Sequence, residues 1–563
     1  MTAIEIKDLT FTYRGADTPA LQDVSLRIEP GEFVVLMGAT GAGKSSLVRC
    51  LNNIIPKFYP GDLSGRVTFF GEDRTNWRTS DFAGAVGMVF QDFECQLFST
   101  NAALEVAFGM ENLGLPCDEM RRRLQDSLET VGLPGVEDRD PTTLSGGQKQ
   151  RLAIASVLAM RPRILILDEP TTDLDPVGKR RIFEIVDRLS EEVGLTILMI
   201  EHETDYARNA DRIVLVDGGR IVGQGPPSRI LADGPLLQRH SVRPTDLIRV
   251  CSALHIADPP ASVEETTHRL TAQDIALNKE RAEALTQGDR RRSEGYGPEI
   301  IEVKNLRHQY PGHVEALKGV SLAIREGEFV AVLGQNGSGK TTLVKHLNGL
   351  LAASGGSVAL DGKDVSKWTA SSLGREVGYV FQDPDHQIFA ATVREEVAFG
   401  PANFGYAKKE VEEMTARALD AVGLIGCEDR DPFALTKGER QRVAVASILA
   451  SDPRVLILDE PTTGLDYAQQ RRMMDLVRKL NEDGRTIIII THSMWVAAEY
   501  AHRAVVMADG LIVADGTVRE IFSNREALDT ASLIAPPVVQ LSQQLGAVLL
   551  SVDEFLQCIA GEA

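Results

Sequence analysis

The sequence predicts an α/β protein that contains one domain twice, each copy built on a buried and largely parallel sheet. The same segments recur in the same order at a period of roughly 290 residues. In each copy an apolar strand runs into a glycine-rich turn and a helix, and further short apolar runs alternate with helical stretches. Such runs are typical of strands that helices cover on both faces.

The composition excludes several classes of protein. The chain has 563 residues, and 60 Lys+Arg against 80 Asp+Glu give a net charge of −20, which argues against general nucleic-acid binding. Six scattered cysteines without a C-x-x-C pair indicate a reducing compartment and argue against a disulfide framework or a cysteine zinc site. The N-terminus does not resemble a signal peptide, and no apolar run reaches about 18 residues. We expect a soluble, cytoplasmic, multidomain protein.

The repeat predicts the domain organisation. Three segments recur: GATGAGKSS as GQNGSGKTT, VFQDFECQLF as VFQDPDHQIF, and ILILDEPTTDLD as VLILDEPTTGLD. The spacing places an insertion of about five residues in the first copy, within 56–63. An S-V-[DE]-E element at 262–265 recurs at 551–554 and suggests a small subdomain after each copy. We expect domains at 1–235 and 299–523, C-terminal subdomains at 236–277 and 524–563, and a linker at 278–298 whose arginine run is a solvated face.

The motif G-x-x-x-x-G-K-[ST] predicts a phosphate-binding loop in each copy. Glycines let the backbone wrap a phosphate chain at a helix N-terminus, and the lysine reaches the outer phosphates. A chance glycine-rich turn is the alternative, but here each motif follows an apolar strand and opens a helix. The predicted nucleotide-binding residues are Gly38, Ala39, Thr40, Gly41, Ala42, Gly43, Lys44, Ser45 and Ser46, and Gly334, Gln335, Asn336, Gly337, Ser338, Gly339, Lys340, Thr341 and Thr342.

Two adjacent carboxylates end a buried strand in each copy. Successive strand side chains point in opposite directions, and ligands collect at the carboxyl ends of strands in open α/β sheets. We therefore expect Asp168 and Asp459, with the hydroxyls of Ser45 and Thr341, to hold Mg²⁺. Glu169 and Glu460 are expected to face an attacking water as general base or orienting group. One isolated Asp-Glu would more simply be a polar strand end.

Between these motifs stand LSGGQKQR at 144–151 and LTKGERQR at 435–442, and the chain here resembles the ATP-binding cassette (ABC) family. The resemblance covers over three quarters of the chain, in family order and twice. It implies two tandem P-loop NTPase domains that bind and hydrolyse ATP with Mg²⁺. It adds Gln91 and Gln382 as catalytic and metal-shell residues, His202 and His492 as γ-phosphate contacts, and Tyr13 and Tyr310 as adenine-stacking residues. Without that context, either tyrosine is an ordinary strand residue and either histidine a structural one.

The resemblance also implies that the halves pair head to tail, with each ATP between one phosphate loop and the other half's signature. The signatures are Ser145, Gly146, Gly147 and Gln148, and Thr436, Lys437, Gly438 and Glu439. The second departs from the family pattern, because Lys437 stands where the family has glycine. The sequence therefore predicts unequal sites: the one with Lys340, Glu460 and His492 faces the intact signature and is expected to hydrolyse ATP faster.

Segments after the glutamines narrow the resemblance to energy-coupling-factor (ECF) importers. QLFSTNAALEVAFGMENLGLP and QIFAATVREEVAFGPANFGY resemble that branch, although Phe93 replaces the usual proline in the first half. The resemblance implies a peripheral ATPase at the cytoplasmic face of the cell membrane. It would dock, through these segments, on a membrane T-component that carries a substrate-binding S-component. The cargo would be a vitamin, a metal ion or a vitamin precursor, with a slight lean toward a thiamine-related hydroxymethylpyrimidine.

Other classes of protein remain as alternatives. A soluble tandem ABC ATPase that acts on the ribosome would have a long charged linker and two good signatures, and neither is present. An ATPase of another importer class, such as a sugar importer, usually has one degraded phosphate loop or catalytic residue. A DNA-repair ABC protein with zinc modules is excluded by the cysteine spacing. Phe98, Phe108, Phe389 and Phe399 are either docking residues or simply core.

Overall fold

The computed structural model describes residues 2–73, 77–172, 174–256, 262–312 and 314–559. Parts of the predicted C-terminal subdomains, 257–261 and 560–563, lie outside the described residues. The chain forms two compact units, the first of residues 1–248 and 466–468, the second of 249–465 and 469–563. None of the helices in the described ranges is both long and apolar enough to cross a membrane.

The strands of the first unit form two sheets. They are β1 (Ile4–Tyr13), β2 (Leu21–Ile28), β3 (Phe33–Met37), β4 (Gly61–Phe69), β5 (Glu72–Asp73), β6 (Val86–Val89), β7 (Ile164–Asp168), β8 (Thr196–Ile200), β9 (Arg212–Asp217) and β10 (Arg220–Gly225). One sheet is antiparallel, in the order β2-β1-β4-β5. The other has the order β10-β9-β3-β8-β7-β6 and is parallel except for its edge strand β10.

The second unit repeats both sheets. Its strands are β11 (Glu299–Tyr310), β12 (Val314–Arg325), β13 (Phe329–Gly334), β14 (Gly355–Leu360), β15 (Lys363–Asp364), β16 (Val377–Val380), β17 (Val455–Asp459), β18 (Thr486–Ile490), β19 (Arg503–Ala508) and β20 (Leu511–Thr517). The orders are β12-β11-β14-β15 and β16-β17-β18-β13-β19-β20. Because β4 is longer than β14, its pairing with β1 continues as far as Tyr13 opposite Gly61. The predicted insertion thus lies at the start of β4.

Helices occupy the segments between the strands. In the first half they are α1 (Lys44–Leu51), α2 (Ile54–Lys57), α3 (Thr79–Phe82), α4 (Ala102–Asn112), α5 (Cys117–Thr130), α6 (Gly146–Ala159), α7 (Pro176–Glu191), α8 (Pro227–Ile230), α9 (Gly234–Arg239), α10 (Asp246–Ala253), α11 (Val263–Ala272) and α12 (Lys279–Glu294). In the second they are α13 (Lys340–Leu347), α14 (Ala370–Glu376), α15 (Val393–Asn403), α16 (Lys408–Ala421), α17 (Lys437–Leu449), α18 (Tyr467–Glu482), α19 (Met494–Tyr500), α20 (Val518–Ser523), α21 (Arg525–Thr530), α22 (Pro537–Gln544) and α23 (Val552–Gln557).

Each parallel sheet is buried on both faces. Along β3, Phe33, Val35 and Met37 join one apolar cluster, which includes residues of α4, α6 and α7. The alternate residues Val34 and Leu36 join a second cluster, shared with β1, β2 and α1. Alternate residues of the strand therefore pack into two different cores, which explains why the central strands are uninterrupted apolar runs.

The segment expected to be a linker is helical and tied into the second unit. Arg519, only 4% exposed, donates from Nε to Asp289 Oδ2 on α12 at 2.8 Å. It also donates from Nη2 to Glu554 Oε1 on α23 at 2.9 Å. The amide of Asn278, which precedes α12, donates to the carbonyl of Cys558. A buried guanidinium thus joins three helices, and its carboxylate partners offset the cost of burying the charge.

The end of this segment contacts a half-buried histidine that resists protonation. The Tyr296 hydroxyl lies 2.8 Å from His502 Nδ1. Burial, assisted by Arg292, lowers the pKa of His502 to about 4. The folded protein therefore disfavours the charged imidazole, whereas the unfolded chain binds the proton near the ordinary pKa of 6.5.

We expect this histidine to make folding stability depend on pH. Its contribution is fully present above about pH 6.5 and is lost as the pH falls toward 4, because the unfolded state then binds more protons. Between about pH 6.5 and 4, the free energy of unfolding should fall by about 2–3 kcal/mol less in His502→Gln than in the wild type. Denaturant unfolding at several pH values measures this free energy, and His268→Gln, at an exposed histidine, is the control. Parallel curves for wild type and His502→Gln would contradict this account.

Candidate functional site

The first phosphate loop is a tight backbone cradle between β3 and α1. Gly38 has φ +146°, and a Cβ there would lie 1.9 Å from the Val216 carbonyl oxygen, so only glycine fits. A Cβ at Gly41 would meet nothing within 4 Å, which leaves open space over the loop. Lys44 is buried, and its Nζ donates to the carbonyls of Gly38 at 2.9 Å and Ala39 at 2.8 Å. Burial lowers the pKa of Lys44, and Glu169 opposes that effect.

The second loop repeats this geometry. Gly334 has φ +150°, and a Cβ there would lie 2.3 Å from the Met507 carbonyl oxygen. Lys340 Nζ donates to the carbonyls of Gly334 at 2.9 Å and Gln335 at 2.7 Å. Within the described ranges, the buried hydroxyl of Ser338 finds no hydrogen-bond partner. Both loops can therefore surround a phosphate chain with backbone N–H groups and one ammonium.

The first aspartate lies at the carboxyl end of β7. Asp168 is fully buried, and Ser45 Oγ donates to its Oδ1 at 3.0 Å. Its Oδ2 has no hydrogen-bond partner among the described residues. Burial, together with the neighbouring Glu169, raises the pKa of Asp168 to about 6. An orphaned carboxylate oxygen beside a serine hydroxyl and a phosphate loop fits an oxygen-ligated Mg²⁺ or its water shell.

Glu169, directly after β7, contacts residues that follow the two neighbouring strands. It adopts φ +50°, which turns its side chain away from the strand direction, and its amide donates to the Ile200 carbonyl. Gln91 Nε2, after β6, donates to Glu169 Oε2 at 2.7 Å. His202 Nε2, after β8, lies 3.1 Å from Glu169 Oε1. The sheet order β8-β7-β6 brings these distant residues together, as their positions after adjacent strands predict.

The second half builds a similar cluster with different supports. Thr341 hydrogen-bonds Asp459, as Ser45 does Asp168, and Tyr379 adds a hydroxyl that donates to Asp459 Oδ2 at 2.7 Å. Burial raises the pKa of Asp459. Glu460 again has a positive φ, +49°, and its Oε1 lies 3.0 Å from His492 Nε2. Gln382 follows β16 as Gln91 follows β6.

The two predicted adenine-stacking tyrosines lie beside the phosphate-loop helices. Tyr13 OH lies 2.9 Å from Ser46 Oγ, and Tyr310 OH lies 3.2 Å from Thr342 Oγ1. Tyr13 also contacts Tyr59 of the insertion edge to face, with ring centroids 6.5 Å apart. Both rings are thus held next to the loops where a base would follow the phosphates.

The two signatures open helices α6 and α17 but use their hydroxyls differently. Ser145 Oγ accepts from the Gln148 amide at 3.4 Å. Thr436 Oγ1 donates to Glu439 Oε2 at 2.8 Å, so its proton is used within its own helix. A Cβ at Gly464 would lie 2.4 Å from Lys437 Nζ, which shows that this lysine folds over the loop after β17. The altered signature is therefore engaged by its own half.

Some residues of the site escaped sequence reasoning. Glu201, 3% exposed, accepts from the Thr171 hydroxyl at 2.6 Å and from the His202 amide at 2.8 Å, and so fixes the histidine loop. The second half has Thr491 at the equivalent position. Tyr379 was also missed. The only sign in the sequence is that the two copies differ at these positions. The first copy has IEH at 200–202 and VGM at 86–88, where the second has ITH at 490–492 and VGY at 377–379.

Known proteins match both halves. The sequence profile of a family described as "ABC transporter" matches residues 21–172 and 317–463. A protein of Caldanaerobacter subterraneus subsp. tengcongensis, named "Putative ABC transporter ATP-binding protein", is 50% identical over 99% of this chain and 98% of its own. A Methanosarcina acetivorans protein of the same name is 41% identical over 98% of this chain and 92% of its own.

One solved structure is described as cbiO1 from Clostridium perfringens, part of the ABC transporter complex cbiONQ. It is 35% identical, covers 44% of this chain and 99% of its own, and has a TM-score of 0.39. The profile matches confirm the predicted fold class, two tandem P-loop NTPase domains, and the predicted use of ATP and Mg²⁺. The chain belongs to the ABC transporter ATP-binding family and is an ATPase with two such domains.

Proposed function

We propose that this ATPase energises an ECF-type importer, bound as a peripheral protein at the cytoplasmic face of the membrane. The observation that carries the proposal is an exposed aromatic pair repeated in both halves. Phe98 and Phe108 are 63% and 46% exposed, and Phe389 and Phe399 are 61% and 49% exposed. In each pair the rings meet edge to face at 4.6 Å. Core residues would be buried, so two matching exposed pairs favour docking on apolar partner helices.

The second half also has a groove beside the segment that follows β16. Its volume is about 780 Å³, and its walls include Trp368, Leu373, Phe381 and Phe404. Phe381 directly precedes Gln382, so a helix seated in the groove would contact the strand end that leads to the nucleotide site. That continuity supports coupling between a membrane T-component and ATP hydrolysis. An S-component would determine the cargo, which would be a vitamin, a thiamine-related pyrimidine or a metal ion.

We assign chemical roles to the clustered residues on their geometry. The lysines Lys44 and Lys340 would exchange their loop carbonyls for phosphate oxygens. Asp168 with Ser45, and Asp459 with Thr341, would hold Mg²⁺. When bound, the ion would neutralise charge on the β- and γ-phosphates.

The two glutamates would accept a proton from an attacking water or orient it. His202 and His492 hold these carboxylates in place from one side, and Gln91 does so for Glu169 from the other. Their contacts with the glutamates would keep the carboxylates aimed at the γ-phosphate.

We further propose that the two nucleotide sites are unequal. In the head-to-tail pairing that the family resemblance implies, Lys340 and Glu460 would work with Ser145, whose hydroxyl proton has no acceptor among the described residues. Lys44 and Glu169 would work with Thr436, whose proton is donated to Glu439. A signature hydroxyl that is free to donate can grip a phosphate, so the site with Glu460 should be the faster one.

Glutamine variants test this inequality. We expect Glu460→Gln to lower ATPase turnover about 100-fold, because an amide cannot accept the proton. Glu169→Gln should lower it less than about threefold. Steady-state phosphate release measures turnover, and binding of a fluorescent ATP analogue shows that both variants retain nucleotide. The reverse order of effects would mean that the assignment is backwards.

Charged substitutions of the exposed aromatic pairs test the importer proposal. We expect Phe98→Glu with Phe389→Glu to abolish recovery of a multi-spanning membrane protein with the tagged chain from detergent-solubilised native membranes. ATPase activity of the purified chain should remain. Val193→Glu with Leu511→Glu is the matched control, since both residues are exposed but lie far along the chain from the aromatic segments.

Mass spectrometry of the recovered complex decides between the classes of protein. A multi-spanning protein with a small membrane protein supports an ECF importer. Recovery only from the soluble fraction with ribosomes would support the tandem ATPase that acts on ribosomes. A partner with a separate soluble binding protein would indicate another importer class.

A further inference from the structure

The two halves hold their Mg²⁺-site aspartates in different ways. Tyr379 on β16 is 6% exposed, and its hydroxyl donates to Asp459 Oδ2 at 2.7 Å. The other support of that carboxylate, Thr341, lies on α13 at the end of the phosphate loop. Asp459 is thus fixed from two elements. The ring of Tyr379 packs edge to face on Phe381, with centroids 5.0 Å apart, which fixes the hydroxyl in turn.

In the first half the residue at this strand position is Met88. A thioether cannot donate a hydrogen bond, and Met88 Sδ instead accepts from Asn52 Nδ2 at 2.8 Å. Asp168 Oδ2 is buried without a partner in the part of the chain that the structure describes, and the carboxylate is held by Ser45 on its other oxygen. The halves therefore share the aspartate and the hydroxyl of the phosphate-loop helix but differ in the strand residue behind the carboxylate.

This difference bears directly on metal binding. Groups that hydrogen-bond a metal-ligating carboxylate orient it before the ion arrives, and their loss typically lowers metal affinity ten- to a hundredfold. Tyr379 is suited to that task, because its buried hydroxyl donates to Asp459 Oδ2 and its ring is packed against Phe381. Among the described residues, Asp168 has the Ser45 hydroxyl as donor to one oxygen and no donor to the other, so its carboxylate is held from one element.

We propose that Tyr379 is a positioning residue for Mg²⁺ in the second half, and that the first half, with Met88, binds the metal–nucleotide pair more weakly. The inference rests on the assignment of Asp459 to the metal shell. It is independent of the importer proposal and of the signature asymmetry, because it concerns metal affinity and not turnover.

The test measures metal binding on the full chain without hydrolysis. The electron paramagnetic resonance signal of free Mn²⁺ is followed during titration of protein saturated with a non-hydrolysable ATP analogue. Wild type should show a tight and a weaker class of site. In Tyr379→Phe the half-saturating Mn²⁺ concentration of the tight class should rise about tenfold, while the weaker class is unchanged.

Variants at the equivalent strand position are the matched controls. Met88→Leu should leave both classes unchanged, because neither side chain donates a hydrogen bond. Met88→Tyr should tighten the weaker class. Thermal unfolding in EDTA shows whether each variant is folded.

Two results would overturn the proposal, and they are distinguishable. If Tyr379→Phe lowers the melting temperature in EDTA but leaves both Mn²⁺ affinities unchanged, Tyr379 only satisfies a buried carboxylate. If Asp459→Asn also leaves Mn²⁺ binding unchanged, the assignment of Asp459 to the metal shell is wrong, and the inference fails with it.

Discussion

Both halves depend on carboxylates that are buried at the carboxyl edge of a parallel sheet. Asp168 and Asp459 are 0% and 3% exposed, in surroundings that raise the pKa of each. A buried charge is stable only when dipoles and partners are arranged around it. Here those partners are the hydroxyl at the start of the phosphate-loop helix and, in one half, a tyrosine. Burying these carboxylates therefore costs free energy, which a bound cation would offset.

The strand order brings residues from several strand ends to one place. Because β6, β7 and β8 are neighbours, Gln91 and His202, which lie 78 and 33 positions from Glu169 in the sequence, come within hydrogen-bond distance of its carboxylate. Glu169 and Glu460 leave the strand direction through a positive φ, so their carboxylates meet the histidine that follows the next strand. Gln91, two residues after the end of β6, donates to Glu169, so a displacement of this segment would act on that carboxylate.

Much of this arrangement could be predicted because it is encoded locally. The phosphate loops need glycine at Gly38 and Gly334 on steric grounds, and the Asp-Glu pairs end apolar runs that can only be buried strands. The supports could not be predicted, since Tyr379 and Glu201 act through partners about 80 and 30 residues away in the sequence. The helical nature of 279–294 also escaped prediction, because its polar composition has no apolar face and its order depends on the buried Arg519.

The duplication makes these differences interpretable, because each half serves as a control for the other. The phosphate-loop motifs are repeated with nearly the same distances, whereas other residues are not: Tyr379 replaces Met88 and Thr491 replaces Glu201. Tyr379 donates to Asp459, whereas Met88 accepts from Asn52. Divergence in such supporting residues changes the hydrogen bonds that hold a carboxylate or a histidine. Under the proposed assignment, two sites for the same nucleotide would in this way differ in metal affinity.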